Sequence, residues 1–279
     1  MTKSHIPARV FAHAAQEAAQ AKQGLSTPQT QDPAYKLAFQ DTDFLLREDL
    51  RPVRFQLELL KPELLLDEAK IGSIFVMYGS ARIPAPGADA TSDNPVIAAS
   101  LAAKAKYYDE ARRLAQIVSQ VPADADGTRQ FVVCSGGGPS IMEAANRGAQ
   151  DVGAESIGLN IVLPHEQAPN AYVTPRLSFQ FHYFALRKMH FLLRARAVAV
   201  FPGGFGTFDE MFELLTLIQT GKIKPMPVLL FGKAFWTRVV NFEALVEEGV
   251  ISAVDLELFH FVETADEAWD RVQSFYGVE

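Results

Sequence analysis

Two apolar periodicities take turns along the chain. From Ile71 nearly to the end, short runs of consecutive β-branched and aromatic residues alternate with stretches whose apolar side chains recur every three or four positions. The runs are Ser73–Tyr78, Gln130–Cys134, Ser156–Leu163, Ala197–Phe201 and Met226–Phe231, with a weaker one at Phe259–Val262. They are continuously apolar rather than alternating, the pattern of strands covered on both faces. Between the first two runs, Ile97, Leu101, Ala105, Tyr108, Ala111, Ala115 and Val118 predict one face of a long helix. Later helices are predicted over Ser140–Gln150, Phe184–Arg194, Thr207–Thr220, Phe235–Glu248 and Ala265–Phe275. Strands alternating with helices in this way predict right-handed βαβ units, hence an α/β fold with a doubly wound parallel sheet.

The first seventy residues read differently. Residues 1–35 are poor in large apolar side chains and contain Gly24, Pro28 and Pro33, so they are expected to form a mobile arm or a loosely docked helix. Residues 36–70 carry leucines and phenylalanines at mixed three- and four-residue spacings, which predicts short helices interrupted near Pro52 and Pro62. The organisation expected is therefore an arm (1–35), a helical extension (36–70) and a Rossmann-like domain (71–279).

Charge and cysteine content narrow the function classes. The 279 residues carry 26 Lys and Arg against 33 Asp and Glu, a formal charge of -7. Such a chain has no bulk attraction for a nucleic acid polymer or an anionic membrane. Cys134 is the only cysteine, so no intrachain disulfide can form. The polar, Ala- and Gln-rich start lacks the apolar core of a secretory signal, and no apolar run approaches the roughly 18 residues of a membrane span. A cytoplasmic location is expected.

Ligands of doubly wound sheets bind beyond the carboxyl ends of strands. Three predicted loops occupy that position: Gly79-Ser80-Ala81-Arg82, then Ser135-Gly136-Gly137-Gly138-Pro139-Ser140, then Pro202-Gly203-Gly204-Phe205-Gly206-Thr207. Glycines there let backbone N–H groups approach an anion, and the following helix dipole favours negative charge. A purely structural reading competes. Ser140 with Glu143, and Thr207 with Glu210, both fit the spacing of a capping box. Capping does not account for two or three glycines before the cap, so a phosphate site is favoured. The dinucleotide pattern fails at its third glycine, where Ile141 and Asp209 stand, and the ATPase P-loop pattern is absent. Zinc-ligand spacing and the serine elbow are missing too. Arg187, Lys188, His190, Arg194 and Arg196 form a basic cluster leading into the third loop, with His182 and His190 read as aromatic neighbours rather than metal ligands.

Gly136–Ala149 (GGGPSIMEAANRGA), Arg187-Lys188 and Pro202–Glu210 (PGGFGTFDE) together resemble the Lonely Guy (LOG) family, whose members have long been mislabelled as lysine decarboxylases. The family pattern PGGxGTxxE is met at every fixed position, and Thr216–Ile223 continues it. Gly79–Arg82 and Pro164-His165-Glu166-Gln167 resemble the longer bacterial branch. The resemblance spans roughly Ile71 to Gly277.

That resemblance implies an N-glycosidase, a phosphoribohydrolase that cleaves nucleoside 5′-monophosphates such as AMP or N6-modified AMP into free base and ribose 5-phosphate. Such cleavage passes through an oxocarbenium-like ribosyl cation, which a nearby carboxylate stabilises. Glu210 is the expected catalytic carboxylate, with Glu143 as a second one on the ribose. Arg187 is expected to orient substrate or stabilise the departing base, since a guanidinium is a poor acid near neutrality. Gly203, Gly204, Gly206 and Thr207 are expected to hold the 5′-phosphate, with Gly79, Ser80, Gly136, Gly137, Gly138 and Lys188 as further substrate contacts. No metal or redox cofactor is required. The alternative is a non-catalytic carrier or sensor of a phosphate-bearing ligand, resembling the molybdenum-cofactor carriers. The resemblance also implies a homodimer or higher homo-oligomer. Light scattering at micromolar concentration should therefore give at least twice the 30.7 kDa chain mass, and a monomer refutes the expectation.

Overall fold

The computed structural model describes residues 12–22, 24–90, 92–164 and 168–277. They fall into two compact units, Met1–Leu57 and Glu58–Glu279. The first holds helices α1 (Ala14–Ala21), α2 (Pro28–Gln31) and α3 (Thr42–Leu45), short 3-10 turns, and the start of α4 (Arg51–Glu68). Its caps are local: Thr27 accepts from the Thr30 N–H at 3.2 Å, and Asp41 from that of Phe44 at 3.3 Å. Arg54 gathers the turns by donating to the carbonyl of Leu45 at 2.9 Å.

The second unit carries the α/β fold and begins at Glu58, inside α4. Its strands are β1 (Ile74–Tyr78), β2 (Val132–Ser135), β3 (Ile157–Ile161), β4 (Ser178–Phe181), β5 (Ala195–Val200), β6 (Val228–Phe231) and β7 (His260–Val262). The helices after α4 are α5 (Pro95–Ala102), α6 (Lys106–Val118), α7 (Ile141–Asp151), α8 (Phe184–Leu193), α9 (Phe205–Gln219), α10 (Lys233–Val239), α11 (Phe242–Glu247) and α12 (Ala265–Tyr276). All seven strands are parallel, in the order β4-β3-β2-β1-β5-β6-β7. Alternate residues of the central strands β1, β2, β5 and β6 serve two separate cores. Phe75 and Met77 pack with α6, α7 and α12, whereas Ile74, Val76 and Tyr78 pack with α8 and α9. No helix among the described residues is long and apolar enough to cross a membrane.

Several predicted elements are corrected. The long helix over 97–118 is two helices, because i to i+3 turns at Lys104 and Ala105 break the ladder. Only α6 then presents a buried stripe (Tyr108, Ala111, Ala115, Val118), while α5 has no fully buried residue and packs on the core only through partly buried Leu101. The helix predicted over 235–248 is also two, since Val240 is extended and Asn241 caps α11 by accepting from the Ala244 N–H at 3.0 Å. The edge strand β4 has no counterpart among the predicted runs.

The expected break at Pro62 is absent: α4 runs through it. A proline in a helix removes one N–H and leaves the carbonyl four residues earlier without its donor. Here that carbonyl belongs to Glu58, and His190 Nε2 of α8 lies 3.1 Å from it as a replacement donor. The Glu58 carboxylate accepts from the N–H groups of His182 (2.8 Å) and Tyr183 (3.2 Å), just ahead of α8. Arg194 completes the joint, reaching Glu63 at 3.0 Å, Asp67 at 2.7 Å and the carbonyl of Ile71 at 2.7 Å. Both histidines have the aromatic neighbours expected, His190 with Phe181 and His182 with Tyr183. Burial lowers the His190 pKa, which keeps the ring neutral with Nε2 as its donor.

This joint can be tested by a double-mutant cycle. His190→Phe leaves a buried carbonyl unpaired and should cost about 1–3 kcal/mol. Adding Pro62→Ala restores a helical N–H to Glu58 and should recover part of that loss in thermal melts. Equal costs of His190→Phe with Pro62 and with Ala at that position would contradict the account.

Candidate active site

The chain winds from β1 outward through β2, β3 and β4, then returns to place β5 on the other side of β1. The β1/β5 boundary is thus the switch point, where loops leaving neighbouring strands diverge and open a crevice. The loops after β1, β2 and β5 meet there. Ser80 N–H donates to the carbonyl of Pro202 at 3.1 Å, and Ile141 N–H to that of Ser80 at 3.3 Å.

Arg187 and Glu210 sit at this junction. Arg187, on α8, is buried; its Nε donates to the carbonyl of Leu159 at the middle of β3 (2.6 Å), and its guanidinium lies 5.1 Å from the Phe191 ring. A terminal guanidinium nitrogen pairs with Glu210 Oε1 of α9 at 3.3 Å. Gly136 makes room for the guanidinium: a Cβ there would stand 2.5 Å from Arg187 Nη2. Gly203 does the same for Thr207, whose hydroxyl oxygen would lie 2.1 Å from such a Cβ. Around Gly204 and Gly206 a Cβ would meet nothing within 4 Å, so space is open beside the start of α9.

Burial raises the Glu210 pKa to about 7, against the opposing pull of Arg187. The carboxyl therefore changes charge near neutrality, where general acid–base chemistry is most effective. Beneath the pair, the Tyr78 phenol and the Cys134 thiol are both pushed up by burial, which makes each neutral and inert.

Neither capping box exists. The first helical residue of α9 is Phe205 and its N-cap is Gly204, so Thr207 lies inside the first turn and Glu210 in the second. Ser140 is the N-cap of α7 but has φ 66°, and its side chain makes no capping bond. Its hydroxyl instead donates to the carbonyl of Ile83. The Ser/Thr and Glu spacing thus has no capping role here, and Glu210 is left to its ion pair.

The other expected site residues divide. The glycines, Ser80, Thr207, Arg187 and Glu210 are on the converging loops and helices. Glu143 is on α7 but accepts from the Tyr108 hydroxyl at 2.8 Å, and among the described residues it pairs with neither Arg187 nor Glu210. Lys188 is spent in ion pairs with Asp209 (3.2 Å) and Glu213 (3.0 Å). His165, Glu166 and Gln167 lie outside the described residues.

Two asparagines not singled out from the sequence shape the second loop. Asn170 donates to the carbonyl of Gly138 (2.9 Å) and to Asn146 Oδ1 (2.9 Å), while its own N–H reaches the carbonyl of Gly137 (2.8 Å). Asn146, fully buried, accepts from the Ser135 hydroxyl at 2.7 Å and donates to the Ser156 hydroxyl at 3.0 Å. Asn146 falls within the glycine-loop motif and was legible as a polar residue on a buried helix face; Asn170 carries no local signal.

Residues 142–272 match a family model described as "possible lysine decarboxylase". The cytokinin riboside 5′-monophosphate phosphoribohydrolase LOG3 of Arabidopsis thaliana is 28% identical over 148 residues, 52% of this chain and 67% of that one. LOG2 of the same plant is 28% identical over 154 residues, 54% of this chain and 67% of its own length. A solved molybdenum cofactor carrier protein from Chlamydomonas reinhardtii aligns over 74% of this chain and 98% of its own at 18% identity, with a TM-score of 0.42, too loose a superposition to bear on function. The family match spans Arg187 and the whole third loop, and over that region the chain is similar to the Lonely Guy (LOG) proteins of plants.

Proposed function

We propose that this chain hydrolyses the N-glycosidic bond of nucleoside 5′-monophosphates, releasing free base and ribose 5-phosphate. The observation that carries the reading is the buried Arg187–Glu210 pair, 3.3 Å apart and next to an open glycine loop. The names of the plant relatives support it. In this reading the 5′-phosphate lies in the space beside Gly204 and Gly206. The N–H groups of Phe205, Gly206 and Thr207 belong to the first turn of α9, where a helix offers no acceptor of its own, and its dipole favours an anion. The ribose then faces Glu210.

The chemistry asks for a carboxylate whose charge is available but not already neutralised by water. As the bond from C1′ to the base nitrogen lengthens, positive charge develops on the ribose, and ionised Glu210 stabilises it. A water oxygen bonds to C1′, the electron pair of the broken bond leaves with the base, and the water proton passes by way of Glu210 to the base. Arg187 keeps Glu210 in place and balances its charge between turnovers. Lysine decarboxylation finds less support. It relies on a lysine free to carry an aldehyde cofactor, whereas Lys188 is held between two carboxylates. A carrier of a phosphate-bearing ligand has no use for a carboxylate with an elevated pKa.

Incubation with AMP should yield adenine by chromatography, and persistence of intact AMP at every enzyme concentration would exclude AMP as a substrate. Among the nucleotides, purine monophosphates should be preferred, and adenosine should be far poorer than AMP because remote phosphate binding contributes to turnover. On the best nucleotide, Glu210→Gln should lower kcat by about 10²–10³. Thr207→Ala should act mainly on KM.

A pH profile of kcat/KM should rise through about 7 as Glu210 ionises. Stability should move the other way. A folded pKa raised above the unfolded value favours the protonated form, so stability is highest below the unfolded pKa and declines as pH rises through about 7. Glu210→Gln should thus melt like the wild type near pH 4 and higher than it near pH 8. A variant less stable than the wild type at both would show that the carboxylate is structural.

A further inference from the structure

At the amino ends of β5 and β6, the opposite end of the sheet from the glycine loops, lies a cavity of about 680 Å³. It is bounded by the last turns of α8 and α9, the segment before β6, and the end of α12. This volume is within the range of small-molecule sites, about 300–1,000 Å³. Leu192, Leu217, Ile223 and Met226 give it an aliphatic wall, and all four are only half-buried. Tyr276 closes one side, its hydroxyl donating to the carbonyl of Arg196 at 2.6 Å.

Charge at the rim is unbalanced. Three charged residues line the cavity: Glu213, Arg196 and Lys224. Glu213 is already paired with Lys188 at 3.0 Å. Arg196 donates to the carbonyl of Ala195, and among the described residues neither Arg196 nor Lys224 has a carboxylate partner. An apolar cavity with two uncompensated cations at its mouth suits a ligand with an apolar body and an acidic head. The body removes aliphatic surface from water, and the head pairs with Arg196 and Lys224.

We infer that this cavity is a second ligand site, separate from the glycine-loop crevice, for a small amphiphile bearing a carboxylate, sulfonate or phosphate. It does not depend on the nucleotide reading, because no residue of the crevice lines it. The two sites share elements nonetheless. α8 carries Arg187 and Leu192, α9 carries Glu210 and Leu217, and β5 runs from Arg196 to the loop at Gly203.

Anilinonaphthalene sulfonate, a fluorescent aromatic anion, is a direct probe, and N-phenylnaphthylamine supplies the same body without the charge. The full chain should bind one sulfonate dye with enhanced fluorescence and bind the uncharged dye more weakly. Replacing both Arg196 and Lys224 by Ser should weaken the anion by about five- to tenfold, with little effect on the neutral dye. Arg196→Lys with Lys224→Arg should retain binding. Leu217→Trp should fill the cavity and abolish binding of both dyes. Glu210→Gln should leave both unchanged. Equal affinity for the two dyes, or insensitivity to the Arg196 and Lys224 changes, would overturn the inference. So would dye binding that appears only when the chain is diluted to monomers, since that outcome assigns the cavity to a second copy.

Discussion

A guanidinium and a carboxylate taken together out of water lose more hydration than a single ion pair readily returns. The Arg187–Glu210 pair is tolerated because the surroundings supply the rest: the carbonyl of Leu159 takes one guanidinium N–H at 2.6 Å, and the Phe191 ring lies beside its face. Other parts of the domain are arranged to keep that compensation in place. Gly136 cannot be larger without striking the guanidinium, and Asn146 and Asn170 hold the loop that contains it. Glu58, His190 and Arg194 fix both ends of the helix on which Arg187 is carried. The joint between α4 and α8 is thus part of the site's support.

Compensation is incomplete on the carboxylate side, and the proposed chemistry rests on this. Burial outweighs the attraction of Arg187, so the Glu210 pKa rises to about 7 instead of falling as in an exposed salt bridge. A fully satisfied carboxylate would be structural and permanently charged. One that titrates near neutrality can stabilise a cation and move a proton. Stability is given up locally for that property, a common arrangement at functional sites.

Much of this was legible in the sequence, for identifiable reasons. Runs such as IFVMY and VVCS are apolar on both faces, so their burial between two helical layers follows from composition alone. β4 (SFQF) alternates and leaves Gln180 exposed, as an edge strand can, and was missed. Pro62 misled because its local effect is real but is offset by His190, more than a hundred residues away. At the site, the three loops and the pairing partners Arg187 and Glu210 were readable from glycine placement and the family pattern. The start of α9 was not: Thr207 and Glu210 have cap spacing, yet Gly204 begins the helix earlier. Glu143 and Lys188, expected at the site from the family pattern, engage Tyr108 and the acids of α9, partners that carry no signal in the sequence.

The central claim is that a single buried carboxyl, paired with Arg187, ionises near neutrality in the resting protein. Infrared difference titration of the side-chain carboxyl band, comparing the wild type with Glu210→Gln, tests it without any substrate. The account predicts one protonated carboxyl that persists above the usual carboxylate range, ionises at about pH 7, and is absent from the Glu210→Gln protein. If every carboxyl of the wild type is ionised by about pH 5, the normal range for exposed Asp and Glu, then Glu210 is an ordinary salt-bridge partner and the account is contradicted.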